Sequence, residues 1–294
     1  MIELRAGRVR AAIAPDEGGR ITSLVVGGVE RILGPSPAAL ASETTWGCFV
    51  MAPWVGRIEA AALPWEGKSY RLEPNLAPHA IHGVVFDEPW SVEAASEERV
   101  ALGCSFSPAR WPFGGWVGHE LTLSPHSLDL ELTVRAGASP MPASAGWHPW
   151  WRRPAEGDMR VGVRADRVLE TAPELIPTGR TEPVRGDVDL RGRPALGPRR
   201  LDHVYPDAHS PAHVVWPDLA LDIAFDPPLR TLVVYTPPEG VCVEPQTAWP
   251  NAPGLAARGR QGTGLRRLGP GETLRAHSRW TWSGTSVDSE PRTL

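Results

Sequence analysis

The sequence predicts an all-β protein, a large antiparallel β-sandwich with few short helices, from three observations. Helical periodicity is scarce, and what recurs along the chain is short runs that alternate apolar with polar residues or are rich in β-branched ones. Glycine, proline, aspartate and asparagine punctuate these runs, and 30 glycines and 32 prolines in 294 residues fit many turns. The clearest run sets Leu128, Leu130, Leu132 and Val134 against Asp129, Glu131 and Thr133, which is a strand with one buried face.

In chain order, Arg20 to Val26 enters a hairpin at Gly27-Gly28 and Val29 to Leu33 returns. A short helix is predicted near Pro37 to Ala41. His119 to Leu123 and Ser127 to Val134 pair around a Pro-His turn. Leu232 to Tyr235, the turn Thr236-Pro-Pro-Glu-Gly, and Val241 to Glu244 form a further hairpin, and Gly254 to Arg258 reads as a turn or loop. The last strand ends Trp280-Thr-Trp282, with two aromatics on one face, and the residues from Ser283 onward are polar. No break reads as a linker and no repeat is found. A single sandwich domain over residues 1–282 with a polar tail at 283–294 is therefore expected, and 41% hydrophobic residues suffice for its core.

The formal charge of −4 and the absence of a sustained basic cluster argue against nucleic acid as a partner. Lys68 is the sole lysine, which leaves little room for Schiff-base chemistry. Cys48, Cys104 and Cys242 are distant and odd in number, so they suggest neither a disulfide framework nor a zinc motif. The start Met-Ile-Glu-Leu-Arg lacks the apolar run of a signal peptide, and no stretch approaches the about 20 apolar residues of a membrane span. A cytoplasmic protein without membrane partners, monomer or homodimer, is the expectation.

Nine histidines and thirteen tryptophans distinguish the composition. Several tryptophans cluster with polar residues in Met51-Ala-Pro-Trp-Val-Gly-Arg57, Ala145-Gly-Trp-His-Pro-Trp-Trp151 and Glu244-Pro-Gln-Thr-Ala-Trp249. Flat aromatic faces beside polar groups suit a sugar ring, although core and rim aromatics read the same way. His148 and Glu244 each precede a proline, which biases them to extended backbone, the setting in which an acid or base has a defined reach. His148 could also be an ordinary core or surface histidine, and Glu244 a solvated edge carboxylate. The apolar neighbours Val241, Val243 and Pro245 instead suggest partial burial, which would raise its pKa toward general-base work. His79 and His82, three apart in a strand, would point to opposite faces, so no metal or other cofactor is expected from them. Asp202 could bind a ligand or cap a turn. Gly18-Gly19 and Gly114-Gly115 lack a nucleotide-binding context and read as turns.

In order along the chain, Gly18-Gly-Arg-Ile-Thr-Ser-Leu24, Trp54-Val-Gly-Arg-Ile58, Ile81-His-Gly83, Gly146-Trp-His-Pro149, Leu201-Asp202 and Val243-Glu-Pro245 with Asn251-Ala-Pro253 resemble the aldose 1-epimerase (galactose mutarotase-like) family. The resemblance implies a β-sandwich with an open sugar cleft and a metal-free, cofactor-free epimerisation of an aldohexose. It casts Glu244 as the base on the anomeric hydroxyl, His148 as the acid on the ring oxygen and His82 as a polarising group. It casts Arg57 and Asp202 as substrate contacts, and Trp147 is expected beside them. Such a two-proton design suits His and Glu groups with pKa values near neutrality.

Ile81-His-Gly-Val84 departs from the family's common Leu-His-Gly-Gly, and His82 to Trp90 is closer to the branch that includes hexose-6-phosphate epimerases. Arg152 or Arg153 could then contact a phosphate or be a solvated rim residue. A glycoside hydrolase or lyase pairing Asp202 with Glu244 would leave both histidines without work. A sugar-binding protein without catalysis is a further alternative, although every acid/base candidate is present.

Overall fold

The computed structural model of the chain describes residues 1–35 and 44–284, so the helix expected near Pro37 to Ala41 and nearly all of the polar tail lie outside the described residues. Two antiparallel sheets carry the architecture. In one, the strands run in the order Ile2–Ala6, Val9–Ala14, Arg20–Val26, Cys48–Met51, Gly146–Arg152, Gly240–Gln246, Thr231–Tyr235 and Asp202–Tyr205, with Val29–Glu30 paired onto Arg20–Val26 as the ninth. In the other, eight strands run Ser91–Ala95, Arg99–Ser105, Trp116–Leu123, Ser127–Arg135, Thr273–Ser283, Ala220–Phe225, His209–Val215 and Arg160–Arg164.

The sheets pack face to face because alternation gives each an apolar face. Leu128, Leu130, Leu132 and Val134 are buried while Glu131 is exposed, and Trp280 and Trp282 are buried on one face of the last strand, both as expected. From the nine-stranded sheet, Val50, Trp147, Trp151, Leu232, Val234, Val241 and Val243 enter the same core. Trp151 meets Trp280 edge to face across the layers at 4.8 Å between ring centroids. Trp147 likewise crosses the layers, and its Nε1–H donates to His119 Nε2 at 3.1 Å, so the indole is satisfied in the core.

Two local expectations need revision. The first hairpin returns only through Val29–Glu30, because Arg31 turns to Asp218, at 2.9 and 2.6 Å, and Ile32 bridges to Trp151. Gly254 to Arg258 belongs largely to a helix, Ala252–Ala257, rather than to a loop. Pro253 stands at its first turn, where a missing N–H costs nothing, and alanine and leucine supply helix propensity. Among the described residues, no helix is long and apolar enough to cross a membrane.

Candidate active site

Five neighbouring strands of the nine-stranded sheet, Cys48–Met51, Gly146–Arg152, Gly240–Gln246, Thr231–Tyr235 and Asp202–Tyr205, build the site on the face turned away from the core. Period two decides which side chains arrive there. Trp147, Trp151, Val241 and Val243 join the core, whereas His148, Trp150, Val233, Tyr235, Glu244 and Gln246 line a cavity of about 250 Å³. That volume is near the lower end of the about 300–1,000 Å³ typical of ligand pockets and suits a small molecule. A more open cleft of about 920 Å³, lined by Arg230, Arg260, Arg266 and Arg275, contains none of the acid/base candidates.

Register aligns the reactive pair. Gly146 pairs with Gln246 and Trp150 with Cys242, and the same register sets His148 opposite Glu244. Pro149 and Pro245 cannot donate to this ladder, and both preceding residues are extended in their strands. His148 Nε2 lies 3.3 Å from Glu244 Oε1. The imidazole is clamped between Phe49, stacked at 4.7 Å, and Trp150, stacked at 5.7 Å.

Burial governs the protonation of both groups. It pushes the His148 imidazole down to about 3, its own backbone carbonyl opposing and the charge of Arg20 adding to the shift. Glu244, only 2% exposed, is held well above the usual carboxylate range by burial and then by the charge of Asp202. The hydrogen bond from Gln246 Nε2 to Glu244 Oε2, 2.9 Å, and the charge of Arg57 oppose that rise. In place of two groups near neutrality, burial thus favours a neutral imidazole beside a protonated carboxyl.

His82 arrives from a different direction. Arg57–Ile58 pairs with Ala80–Ile81, which brings the arginine and the histidine segments to one rim. His82 has φ 63° and donates its N–H to the Gly56 carbonyl at 3.1 Å. Gly83 follows at φ 83°, and a Cβ there would lie 1.9 Å from the Ala52 carbonyl oxygen, so the turn requires glycine. The His82 ring meets His148 edge to face at 4.9 Å. Burial, then the charges of His148 and Arg57, hold His82 well below the imidazole range. His79 is occupied elsewhere, its Nδ1 accepting the Ala60 N–H at 3.0 Å.

Arg57 lines the cavity and is anchored through its carbonyl, which accepts the Asn251 N–H at 2.7 Å. Asp202 is a strand residue of the cavity wall, not a turn cap, and burial raises its carboxyl while Arg57 and His203 oppose. His148, Cys242 and Glu244 offer N, S and O donors within 4.8 Å, the one such group among the described residues that could hold a metal ion. The Cys242 thiol is fully buried, and burial keeps it strongly protonated.

Five of the six residues singled out from the sequence, His82, His148, Glu244, Arg57 and Asp202, therefore meet at one cavity. Trp147 does not. It is fully buried on the core side of its strand, contrary to the expectation that it stands beside Arg57 and Asp202, and the tryptophan of this strand that lines the cavity is Trp150. Trp150 and Gln246 went unnoticed in the sequence, although each stands two residues beyond His148 or Glu244, the spacing that returns a strand to the same face. Arg152 and Arg153 do not line the cavity, and they donate to the carbonyls of Ile32 (3.4 Å) and Pro237 (3.0 Å).

The sequence profile of the family described as aldose 1-epimerase matches residues 1–281. The chain belongs to the aldose 1-epimerase family. Among curated relatives, the chain is 25% identical to the Escherichia coli K12 protein YphB over 120 residues, 40% of each chain. It is 32% identical to galactose mutarotase of Sus scrofa over 156 residues, 48% of this chain and 44% of that one. It is 29% identical to human galactose mutarotase over 209 residues, 66% and 58%. The matches thus span 40%, 44% and 58% of those relatives' own lengths.

Solved structures share the fold of this family member. A galactose mutarotase-like protein of Clostridium acetobutylicum superposes with a TM-score of 0.86 at 20% identity, covering 96% of this chain and 95% of that one. Galactose 1-epimerase of Lactobacillus acidophilus does so at 0.78 and 18%, covering 96% and 93%.

Proposed function

We propose that the protein is a metal-independent aldose 1-epimerase, or mutarotase, that interconverts the α- and β-anomers of a neutral aldohexose. The observation that carries this reading is the Glu244–His148 pair, 3.3 Å apart on the wall of a cavity of about 250 Å³. One proton on that pair has two distributions. A protonated carboxyl beside a neutral imidazole, the state burial favours, holds as many protons as a carboxylate beside an imidazolium.

Anomerisation moves the pair between these distributions. Glu244 as carboxylate takes the proton from the anomeric hydroxyl, the C1–O1 bond becomes a carbonyl, the C1–O5 bond breaks, and His148 gives its proton to O5. After rotation about C1–C2, His148 recovers the O5 proton as O5 attacks the other face of C1, and Glu244 returns a proton to O1. Each group acts as acid in one direction and base in the other. Arg57, whose charge lowers the Glu244 pKa, favours the ionic distribution that starts the cycle. His82 and Asp202 complete the wall with hydrogen-bonding groups for sugar oxygens.

The cavity charge favours an unphosphorylated sugar. Among the described residues that line it, Arg57 is the only arginine or lysine, and Asp202 and Glu244 share that lining. The proposed setting is a cytoplasmic sugar pool, with which three free, buried cysteines are compatible.

The test follows α- and β-anomers of glucose, galactose and their 6-phosphates by polarimetry and NMR exchange, with and without a chelator. Free aldoses should equilibrate well above the buffer rate, unaffected by chelation. Equilibration of all sugars at the buffer rate refutes the mutarotase reading, and acceleration of the 6-phosphates alone would replace its substrate.

A further inference from the structure

Gln246 ends the strand that carries Glu244 and is 1% exposed. Alternation returns its side chain to the face of Glu244, and the two ends of its carboxamide meet different surroundings. Its Nε2 donates to Glu244 Oε2 at 2.9 Å, the oxygen that does not face His148. In the carboxylate form that the proposed reaction requires, Glu244 only accepts hydrogen bonds, so the amide nitrogen is the end that belongs there. Its Oε1 is buried without a hydrogen-bond partner, in a residue that lines the cavity. Buried acceptors are ordinarily satisfied, and the cavity that Gln246 lines is where a bound molecule could satisfy this one.

Building on the mutarotase reading above, we propose that Gln246 works on both sides of the reaction centre: its N–H fixes the Glu244 carboxylate as a positioning contact, and its Oε1 accepts a hydrogen bond from the sugar hydroxyl beside the anomeric one. Glu244 addresses O1, and an amide oxygen sits one bond angle from its nitrogen, so the neighbouring 2-hydroxyl is the donor within its reach. The residue thereby links recognition of a hydroxylated C2 to the orientation of the base. Loss of the N–H also removes a contact that holds the Glu244 pKa down, so in a variant without it the pair keeps its shared proton to a higher pH and its ionic distribution is less populated.

Two variants separate the halves of the proposal. Gln246→Met removes both ends, whereas Gln246→Glu keeps acceptor oxygens and loses the donor. Near-UV circular dichroism confirms folding, and kcat, KM and the pH profile of kcat/KM are measured with an aldohexose and its 2-deoxy analogue. In the wild type, the 2-deoxy sugar should lose about tenfold or more in kcat/KM, as expected for an unpaired buried acceptor. Gln246→Met should erase most of that difference and Gln246→Glu should preserve it. Both should move the basic limb, where the pair loses its shared proton, to higher pH, by about one unit, equivalent to a tenfold change in the ionisation constant.

An undiminished 2-deoxy difference in a folded Gln246→Met variant overturns the substrate contact. An unmoved basic limb in both variants overturns the positioning role. A wild type that accelerates no aldose defeats the mutarotase reading itself, and this inference with it.

Discussion

Glu244 and His148 face each other across adjacent antiparallel strands, 3.3 Å apart, with burial driving their pKa values in opposite directions. The same desolvation disfavours charge on either group, so in the proposed reaction contacts from a polar substrate would have to populate the ionic arrangement of the shared proton.

Glu244→Gln should lower kcat by about 10²-fold or more, the scale of lost general acid/base catalysis, with the fold retained. Its stability should also depart from the wild type with pH. The folded chain holds the Glu244 proton that the unfolded chain releases near 4.5, so this carboxyl's contribution is full below that pH and is lost as pH rises through the folded value. The variant should therefore gain on the wild type as pH rises, by up to about 1.4 kcal/mol per unit. Urea denaturation at pH 5 and pH 8 reads the gap, and a constant gap would contradict the assignment.

Asp202→Asn should move the basic limb of kcat/KM, where the pair loses its shared proton, to lower pH, because the Asp202 charge is second only to burial in raising Glu244. The direction is opposite to that expected for Gln246→Met. A limb that rises or stays put would show that the two carboxyls do not communicate.

Arg57→Ala should raise KM about tenfold or more, the worth of a hydrogen bond from a charged donor, with little change in melting temperature. Its side chain is half-buried on the cavity wall rather than in the apolar core. Unchanged KM with a large loss of stability would assign it a structural role instead.

Three buried histidines, His82, His119 and His148, have lowered pKa values, the last two about 3. Their stabilisation is complete above 6.5, the unfolded value, and is lost as pH falls toward the folded values. His119→Gln should therefore flatten the decline in stability between pH 6.5 and 4 relative to wild type, by about 1.4 kcal/mol per unit at most. Parallel declines in urea denaturation would be inconsistent with a buried neutral His119.

Trp147→Phe should cost about 1–3 kcal/mol, since His119 Nε2 loses its donor in the core, and should leave KM for sugar unchanged. A selective rise in KM would return Trp147 to the cavity.

The sandwich was legible because alternation in runs such as Leu128 to Val134 reports one buried face directly. The proline steps after His148 and Glu244 indicated extended backbone, and the family resemblance supplied the grouping of distant segments. Trp147 misled because it is adjacent to His148 in the chain, and adjacency within a strand means opposite faces. Trp150 and Gln246 were recoverable by stepping two residues from the acid and the base. The His82 turn was not, since the need for glycine at 83 arises from the Ala52 carbonyl, thirty-one positions earlier in the chain. Glu244's full burial also depends on strands that pairing alone brings beside it.

The parity of Gly146–Arg152 has a consequence for how this protein can change. Its odd-numbered tryptophans belong to the core and its even-numbered His148 and Trp150 to the cavity. Deleting or inserting one residue ahead of His148 within this strand would exchange the two sets, turning an imidazole into the apolar interior and an indole out of it. Length variation is thus forbidden where the chemistry sits. The cavity wall at Leu76, Thr171 and Leu175, outside the central strands, is where new substrate preferences could be acquired without disturbing the proton pair.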